Sequence, residues 1–298
     1  MAIQFLLKVV GFIIGFNFLI SICYGEMIFD YNLDIPDVQY ELPTILAEVS
    51  GLTDIDSSHV ACVQDELGIV FIYNFISGKI VSQHAFENVG DFEGLAYTGD
   101  AIFILRSDGR LTEWNNFKSN SVNNIKHFKL PLLTTDNEGL CYDKKHNQLL
   151  IAAKNKPIDR NEKFERYIYS FDILQKRLSE KPLSSINTKQ LSIKSKEFNI
   201  PPLLKKNGKK KKFNFRSSSL AIHPLSDDIY IISASDKLLL VINRKNEIRH
   251  IERLNSELFR QAEGITFLHD GTMIIANEAK GKIPTLLLYK MKNKKTAK

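Results

Sequence analysis

Short apolar runs, separated by turn-forming residues, follow one another along most of the chain. Typical runs occupy residues 101–105 and 110–114, with Ser107, Asp108 and Gly109 between them. Runs of about five residues that are rich in Ile, Leu and Phe and bounded by Gly, Asp and Asn are typical of β-strands, whereas helices need longer segments. The pattern predicts an all-β protein.

One six-residue pattern recurs five times and adds long-range order to these short runs. The copies start at Glu48, Asp91, Asp136, Arg216 and Gln261, and each has a small residue at its fourth position: Gly51, Gly94, Gly139, Ser219 and Gly264. Successive small residues are 43, 45, 80 and 45 residues apart. A period of about 45 residues matches one four-stranded blade of a β-propeller. The sequence therefore predicts a five-bladed propeller, with six blades as the alternative.

The two ends of the repeat array indicate how the ring closes. Blade four has four strand-like runs, at 220–222, 229–233, 238–242 and 248–251, but blade five has only three, at 264–268, 272–276 and 285–289. The segment 27–33 precedes the first copy without a blade of its own. We predict that it supplies the missing outer strand and so leaves no open sheet edge. The long gap between the third and fourth copies is predicted to hold a polar, lysine-rich insertion at about 155–213.

The first 25 residues differ from the rest of the chain. Lys8 precedes an apolar stretch at 9–22, which is the pattern of an N-terminal signal helix. Cleavage before Glu26, a lipid on Cys23 and a retained membrane anchor all fit this stretch, and all three place the remaining chain outside the cytoplasm. We expect a leader at 1–25 and a propeller at 26–298 in the periplasm, on the cell surface or secreted.

Composition and charge narrow the range of partners. The 298 residues are 44% hydrophobic and 25% charged, as in ordinary globular proteins. The net charge of +6 depends on two cationic clusters, at 205–216 and 290–298, whereas 26–78 contains no Lys or Arg. No aromatic residue that could stack on a base separates the lysines at 205–212, so solvated segments are favoured over a nucleic-acid site. Cys62 and Cys141 lie in apolar runs, which favours buried free thiols over a disulfide.

Acidic side chains recur at two positions of the repeat. The first strand of each propeller blade lines the central channel, so equivalent residues of different blades converge on the axis. Glu93, Glu138 and Glu263 precede the small residue, where the other two copies have serine, and Glu48, Asp91 and Asp136 stand two residues earlier. Strand side chains alternate with a period of two, so both positions are expected to face the same way.

Such a concentration of carboxylates needs either protonation or a cation. Two like charges at ~4 Å repel by about 4 kcal/mol at an effective dielectric constant near 20. Oxygen ligands without a nearby Cys or His favour Ca²⁺ or Mg²⁺. The alternative is that each glutamate binds backbone N–H groups and fixes the register between blades. Arg216, in the fourth copy, is a further source of neutralising charge.

The opening motifs resemble those of the SdiA-regulated family of exported bacterial propellers. The resemblance rests on Tyr31-Asn-Leu-Asp-Ile-Pro, Tyr40-Glu-Leu-Pro, Leu46-Ala-Glu-Val-Ser-Gly-Leu52 and Asp91-Phe-Glu-Gly-Leu95. Glu-Gly-Leu alone is shared with the more distant NHL-repeat and esterase-like phytase propellers. The resemblance implies a five-bladed propeller with a calcium site and no established reaction. It implies that the calcium ligands lie among Glu93, Glu138, Glu263 and Glu48, with Asp65 and Glu278 as further candidates.

Three functions follow from these observations. Neither a Gly-x-Ser-x-Gly elbow nor a phosphate-binding glycine loop is present, so the first expectation is a non-catalytic, calcium-binding module at the cell envelope. We expect a monomer whose partner is an unidentified protein or small molecule. The alternative is a metal-dependent phosphoester hydrolase, in which Arg106, Lys154 or Arg216 would bind the anion. The third is a structural domain whose glutamates only order the blades.

Overall fold

Five antiparallel sheets form the blades of a propeller in the computed structural model, which describes residues 29–292 apart from 120, 206 and 212. The predicted fold class and blade number, five and not six, are confirmed. Blade one contains β2 (Val49–Asp54), β3 (His59–Gln64), β4 (Leu67–Asn74) and β5 (Lys79–Val89). Blade two contains β6 (Phe92–Tyr97), β7 (Ala101–Arg106), β8 (Arg110–Asn115) and β9 (Ile125–Lys129).

The remaining blades follow the same order from the axis outwards. Blade three contains β10 (Asn137–Asp143), β11 (Gln148–Ala153) and β12 (Tyr167–Asp172), and the short strands β13 (Arg177–Leu178) and β14 (Ser184–Ser185) both pair with β12. Blade four contains β15 (Ser219–Ile222), β16 (Ile229–Ser233), β17 (Leu238–Ile242) and β18 (Ile248–Arg253). Blade five contains β19 (Ala262–Phe267), β20 (Met273–Asn277), β21 (Thr285–Tyr289) and β1 (Val38–Glu41). We call β2, β6, β10, β15 and β19 the inner strands.

Helices are confined to the connections. The α-helix α1 (Thr188–Glu197) lies between blades three and four, and 3-10 turns occupy Thr44–Leu46, Phe117–Ser119, Val122–Asn124 and Arg160–Glu162. Among the described residues, none of these helices has the length and apolar character needed to cross a membrane. The predicted signal helix lies outside the described residues.

Blade five is closed by the N-terminal part of the chain, but not by the segment predicted. The outer strand β1 pairs antiparallel with β21, with Val38 opposite Leu288 and Glu41 opposite Thr285. The prediction that 27–33 forms this strand was wrong for its described part, because residues 29–33 form no strand. Tyr31 and Leu33 are instead buried in the hydrophobic core between blades four and five. Their apolar character reflects side-chain burial, not strand pairing.

The predicted insertion at 155–213 is not one continuous segment. Strand β12 lies within this range and is the third strand of blade three. Its residues Tyr167, Tyr169 and Phe171 are buried against blade two. The additional chain is therefore divided into a loop before β12 and the longer segment after β14 that contains α1. The strand was overlooked because polar sequence flanks it on both sides.

The hydrophobic core lies between neighbouring blades. Phe103 and Leu105 of blade two, for example, pack against Leu149 and Ile151 of blade three. The two described cysteines belong to this core: Cys62 and Cys141 are free thiols, as predicted. Burial raises the pKa of Cys62 to about 12, so the thiol stays protonated at neutral pH.

The repeated small residues mark the closest approach of the inner strands. A Cβ atom on Gly51 would lie 2.8 Å from Gly94 Cα, and one on Gly94 would lie 2.8 Å from the Glu138 carbonyl oxygen. In blade four the small residue is Ser219, whose Oγ accepts a hydrogen bond from the N–H of Ile265 at 3.2 Å. Steric crowding at the axis therefore explains why the sequence repeats a small residue here.

A buried hydrogen-bond chain attaches the N-terminal segment beneath blades four and five. Tyr31 Oη donates to the Gly271 carbonyl at 2.5 Å and lies 2.8 Å from His223 Nε2. His223 Nδ1 accepts the N–H groups of Leu225 and Ser226, at 3.3 and 3.0 Å. Since Nδ1 is an acceptor, Nε2 carries the proton and donates to Tyr31 Oη.

Tyr31→Phe should lower the free energy of unfolding by about 1–3 kcal/mol, because it leaves the His223 N–H and the Gly271 carbonyl buried without a partner. Urea denaturation of the two proteins measures the difference. Tyr40→Phe, in the edge strand β1, is the matched control and should change stability by less than about 0.5 kcal/mol. Equal losses in the two variants would contradict the proposed chain.

Candidate functional site

The inner strands begin on one face of the propeller, where the acidic residues of the repeat come together. Glu93, Asp136 and Glu138 each place a carboxylate oxygen within 4.8 Å of the other two. We call these three residues the carboxylate cluster. Glu138 is only 3% exposed, whereas Glu93 and Asp136 are partly exposed. Two blades therefore contribute carboxylate oxygens to one group.

A β-bulge directs the glutamates into this site. In blade two, the pairing of β6 with β7 shifts by one residue between Phe92 and Gly94. In blade three, the pairing of β10 with β11 shifts in the same way between Asn137 and Gly139. The extra residue of each bulge is Glu93 or Glu138. A bulged residue leaves the regular ladder, and its side chain is re-aimed. The same shift occurs around Glu263 in blade five. The sequence pattern did not reveal these bulges.

The two serines at the equivalent position have a structural role. Ser50 Oγ donates to the Phe92 carbonyl at 2.6 Å, and Ser218 Oγ donates to the Ala262 carbonyl at 2.7 Å. Each bond joins one blade to the next. The serines therefore link neighbouring blades through backbone carbonyl groups.

Lys154 provides the positive charge at the carboxylate cluster. Its Nζ forms an ion pair with Glu138 Oε1 and lies 3.9 Å from Asp136 Oδ2. The other carboxylate oxygen of Glu138, Oε2, is buried and has no hydrogen-bond partner among the described residues. Lys154 follows β11 directly, the position that Asp65 and Glu278 occupy in blades one and five. One ammonium group therefore faces an excess of carboxylates.

This excess raises the pKa of two glutamates. Burial and the neighbouring Asp91 raise the pKa of Glu93 to about 8, although Lys154 acts in the opposite direction. Burial and the charge of Glu278 raise the pKa of Glu263 to about 7. Both side chains therefore hold a proton for much of the time near neutral pH. Their protonation replaces the counter-charge that the protein itself does not supply.

The four predicted metal ligands are not all brought together. Glu93 and Glu138 belong to the carboxylate cluster. Glu263 lies outside it, and its Oε1 accepts a hydrogen bond from Gln261 Nε2. Glu48 is exposed and also lies outside the cluster, on the same face. Asp136, which the resemblance did not implicate, completes the cluster in their place.

The two further acidic candidates lie beside these outer glutamates. Burial, followed by the charge of Glu48, raises the pKa of Asp65 to about 6. Asp65 Oδ1 is buried without a hydrogen-bond partner in the described part of the chain. Glu278 is paired with Lys280 at 2.9 Å. The negative charge thus extends from the carboxylate cluster across blades one and five.

The cations considered for anion binding are already engaged by protein oxygen atoms. Arg106 donates twice to Asp108, at 3.1 and 2.8 Å. Arg216 donates to Asn155 Oδ1 at 2.6 Å, and Asn155 Nδ2 donates to Asp136 Oδ2 at 3.2 Å. Arg216 therefore acts on the carboxylate cluster through Asn155. Asn155, which the sequence analysis did not single out, could have been identified because it lies two residues after β11, beside the predicted candidate Lys154.

The sequence profile of the SdiA-regulated family matches residues 26–281. The chain belongs to the SdiA-regulated family. This match covers blades one to four, all of blade five except β21, and the whole carboxylate cluster. A search of the curated proteins finds no match to this family member.

Solved structures share the propeller fold at low sequence identity. Glutaminyl cyclase from Myxococcus xanthus superposes with a TM-score of 0.55 and 15% identity, over 87% of this chain and 96% of that one. A nidogen/laminin complex gives a TM-score of 0.49 and 12% identity, over 77% and 72% of the two chains. A mitotic checkpoint complex gives 0.48 and 10%, over 88% and 93%. At this sequence identity, the likeness to the glutaminyl cyclase shows the propeller fold alone.

Proposed function

We propose that this SdiA-regulated family member is an exported, calcium-binding propeller that acts as a non-catalytic binding module at the cell envelope. The observation that supports the ion most directly is Glu138, whose Oε2 is buried and unpartnered beside two further carboxylates. A buried oxygen without a donor is costly, and a bound cation removes that cost. The export part of the proposal rests on the apolar leader.

The donor set fits calcium. Ca²⁺ takes six to eight oxygen ligands and tolerates irregular geometry, which suits side chains that arrive from two blades. Glu93, Asp136 and Glu138 would hold the ion. When bound, Ca²⁺ would supply the positive charge that allows Glu93 to ionise. Lys154 would then lose its role as the counter-ion of Glu138.

The hydrolase alternative has weaker support. It requires a cationic side chain that is available to a phosphate group. Arg106 is held by Asp108, Arg216 by Asn155 and Lys154 by Glu138. Protein oxygen atoms thus occupy all three cations, and two of the three contacts are with carboxylates, which supports cation binding over anion binding.

Calcium titration tests the proposal. After treatment with EGTA and its removal, wild-type protein should bind Ca²⁺ in isothermal titration calorimetry, and Glu138→Gln should weaken the binding at least tenfold. Glu113→Gln is the matched control. Glu113 lies on the third strand of blade two, away from the carboxylate cluster, and like Glu138 it is buried and forms an ion pair with a lysine, Lys176, at 2.6 Å. It should bind as wild type does.

Three results would overturn the proposal. If wild-type protein binds no calcium, or if the two Gln variants bind it equally, the carboxylate cluster is not the site. If wild-type protein hydrolyses p-nitrophenyl phosphate and Glu138→Gln does not, the protein is a hydrolase and not a non-catalytic binding module.

Lys154→Met tests whether bound Ca²⁺ displaces the ammonium group of Lys154 from Glu138 or binds beside it. If Ca²⁺ displaces the ammonium group from Glu138, removal of that group should tighten calcium binding about tenfold or more, since the two cations no longer compete. The same titration measures this change. Unchanged affinity would mean that lysine and metal do not share the carboxylates.

A further inference from the structure

The channel also opens at the opposite end, into a cavity of about 730 Å³. Its walls come from the last residues of the inner strands and from the turns that follow them. None of Glu93, Asp136 and Glu138 lines it. The close contacts of the repeated small residues lie between this cavity and the carboxylate cluster. The volume falls in the range of about 300–1,000 Å³ that is typical of small-molecule sites.

One ring of equivalent residues dominates this cavity. The third residue after each repeated small residue lines it, and we call these five residues the lower ring: Asp54, Tyr97, Tyr142, Ile222 and Phe267. Four of the five are aromatic or aliphatic. Within the ring, blade one alone contributes a charged group, while the chain segments beyond the ring add Asp143, Lys144, Lys145 and Asp227 to the cavity wall. The lower ring is thus a largely apolar and aromatic enclosure with a single carboxylate on one side.

The carboxylate of Asp54 is held in place but not neutralised. Thr266 Oγ1 donates to Asp54 Oδ1 at 2.9 Å, and the same hydroxyl accepts the N–H of Asp54 at 3.2 Å. Asp54 forms no ion pair with any residue in the described part of the chain. Burial raises its pKa, whereas the hydrogen bond from Thr266 and the charge of Lys144 act in the opposite direction. Because Lys144 forms no ion pair with Asp54, a cationic ligand in direct contact with the carboxylate would supply the paired charge.

The aromatic members of the ring are also fixed. Tyr142 Oη donates to Asn147 Oδ1 at 3.1 Å, and Tyr97 packs edge-on against Phe117 with ring centroids 6.0 Å apart. Phe267 packs edge-on against Tyr230 at 4.9 Å. Lys118 Nζ lies over the Tyr97 ring, 5.5 Å from its centroid, and Phe267 is only 5% exposed. The rings therefore form a fixed apolar wall that suits the hydrocarbon part of a ligand.

We infer that the lower ring binds a small organic ammonium ion, with the ammonium group at Asp54 and its hydrocarbon part among Tyr97, Tyr142 and Phe267. A metal cation would leave the apolar wall unused. An organic anion would have to approach Asp54 with a like charge, although Lys144 at the rim of the cavity would attract it. The site is separate from the carboxylate cluster and is independent of calcium.

Three phenethyl compounds of different charge test this inference. Phenethylamine, 2-phenylethanol and phenylacetate share one hydrocarbon skeleton, and their binding to wild-type protein is measured by titration calorimetry in EGTA. Phenethylamine should bind at least tenfold more tightly than the other two. Asp54→Asn should remove this preference, while Asp56→Asn, an exposed acid two residues later and outside the cavity, should preserve it.

A second variant covers the case in which Asp54→Asn fails to fold. Tyr97→Leu keeps an apolar side chain at this position but removes one aromatic ring from the wall, and it should weaken phenethylamine and 2-phenylethanol by similar, severalfold factors while preserving the preference for the amine. The inference is overturned if wild-type protein binds none of the three compounds, if 2-phenylethanol binds as tightly as phenethylamine, if phenylacetate binds most tightly, or if the two Asn variants behave alike.

Discussion

Gly94→Ala should lower the free energy of unfolding by at least about 3 kcal/mol, a large part of the stability of a typical domain. The added Cβ would meet the Glu138 carbonyl oxygen at 2.8 Å and Leu140 Cβ at 3.0 Å. Both neighbours belong to β10, which is paired with β11 and cannot retreat without disturbing blade three. Denaturant unfolding followed by circular dichroism measures the loss.

Gly281→Ala separates crowding from backbone strain. Gly281 has a φ of +77° and no heavy atom within 4 Å of the position of an added Cβ. Alanine there should cost only about 1–2 kcal/mol, the ordinary penalty for a left-handed residue with a side chain. If the two substitutions cost the same, the axis is less crowded than the structure indicates, and the repeated glycine needs another explanation.

Calcium should stabilise the protein in a manner that depends on pH. At a concentration 100 times its dissociation constant, a ligand that binds only the folded state adds about 2.7 kcal/mol, which raises the Tm of a domain of this size by roughly 5–10 °C. Glu138→Gln should lose most of this shift, whereas Glu113→Gln should keep it. Thermal unfolding in EGTA and in added Ca²⁺ measures the effect.

The sign of the pH dependence follows from the two raised pKa values. Glu93 and Glu263 titrate near 8 and 7 in the folded protein but near 4.5 when unfolded, so the folded state binds more protons between those limits. Without calcium, this contribution to stability is present below pH 4.5 and is lost as the pH rises towards 8. Ca²⁺ competes with the proton on Glu93, so its shift in Tm should be larger at pH 8 than at pH 5.5. Equal shifts at the two pH values would contradict this account.

The blades were predictable from the repeat because each copy places a small residue where two inner strands lie too close for a larger side chain. Wherever inner strands touch, the chain requires a small residue, and the spacing of these residues fixes the number of blades. The first two strands of each predicted blade are also local, since each is followed by its partner within a few residues. The runs at 229–233 and 238–242 match β16 and β17 residue for residue.

What the sequence did not reveal depends on non-local contacts. Strand β1 is an edge strand joined to β21 by backbone hydrogen bonds, and its side chains, which alternate between partly buried and exposed, give a weak pattern. The apolar residues Tyr31 and Leu33 gave a stronger signal, but that signal came from burial. The position of Lys154 over Glu138 likewise depends on how β11 ends beside β10, which repeat spacing alone does not specify.

The candidate site was only partly predictable for the same reason. The acidic positions could be grouped because the first strand of every blade lines the channel. Which of them meet depends on the bulges that turn Glu93 and Glu138 out of the ladder. The hydrogen bond of Gln261 to Glu263 and the outward position of Glu48 depend on neighbours that the repeat does not encode.

The hydrogen bonds of the N-terminal segment determine which end of the channel lies nearest to the start of the described chain. Tyr31 is bonded to the turns that follow β15 and β19, and the N–H of Lys292 donates to the Asp30 carbonyl at 2.7 Å, so both ends of the described chain lie on the cavity side. The carboxylate cluster is at the opposite ends of the same inner strands. If the leader tethers the protein to a lipid bilayer, the lower ring faces the bilayer and the acidic mouth faces the surrounding fluid, where dissolved cations reach it freely.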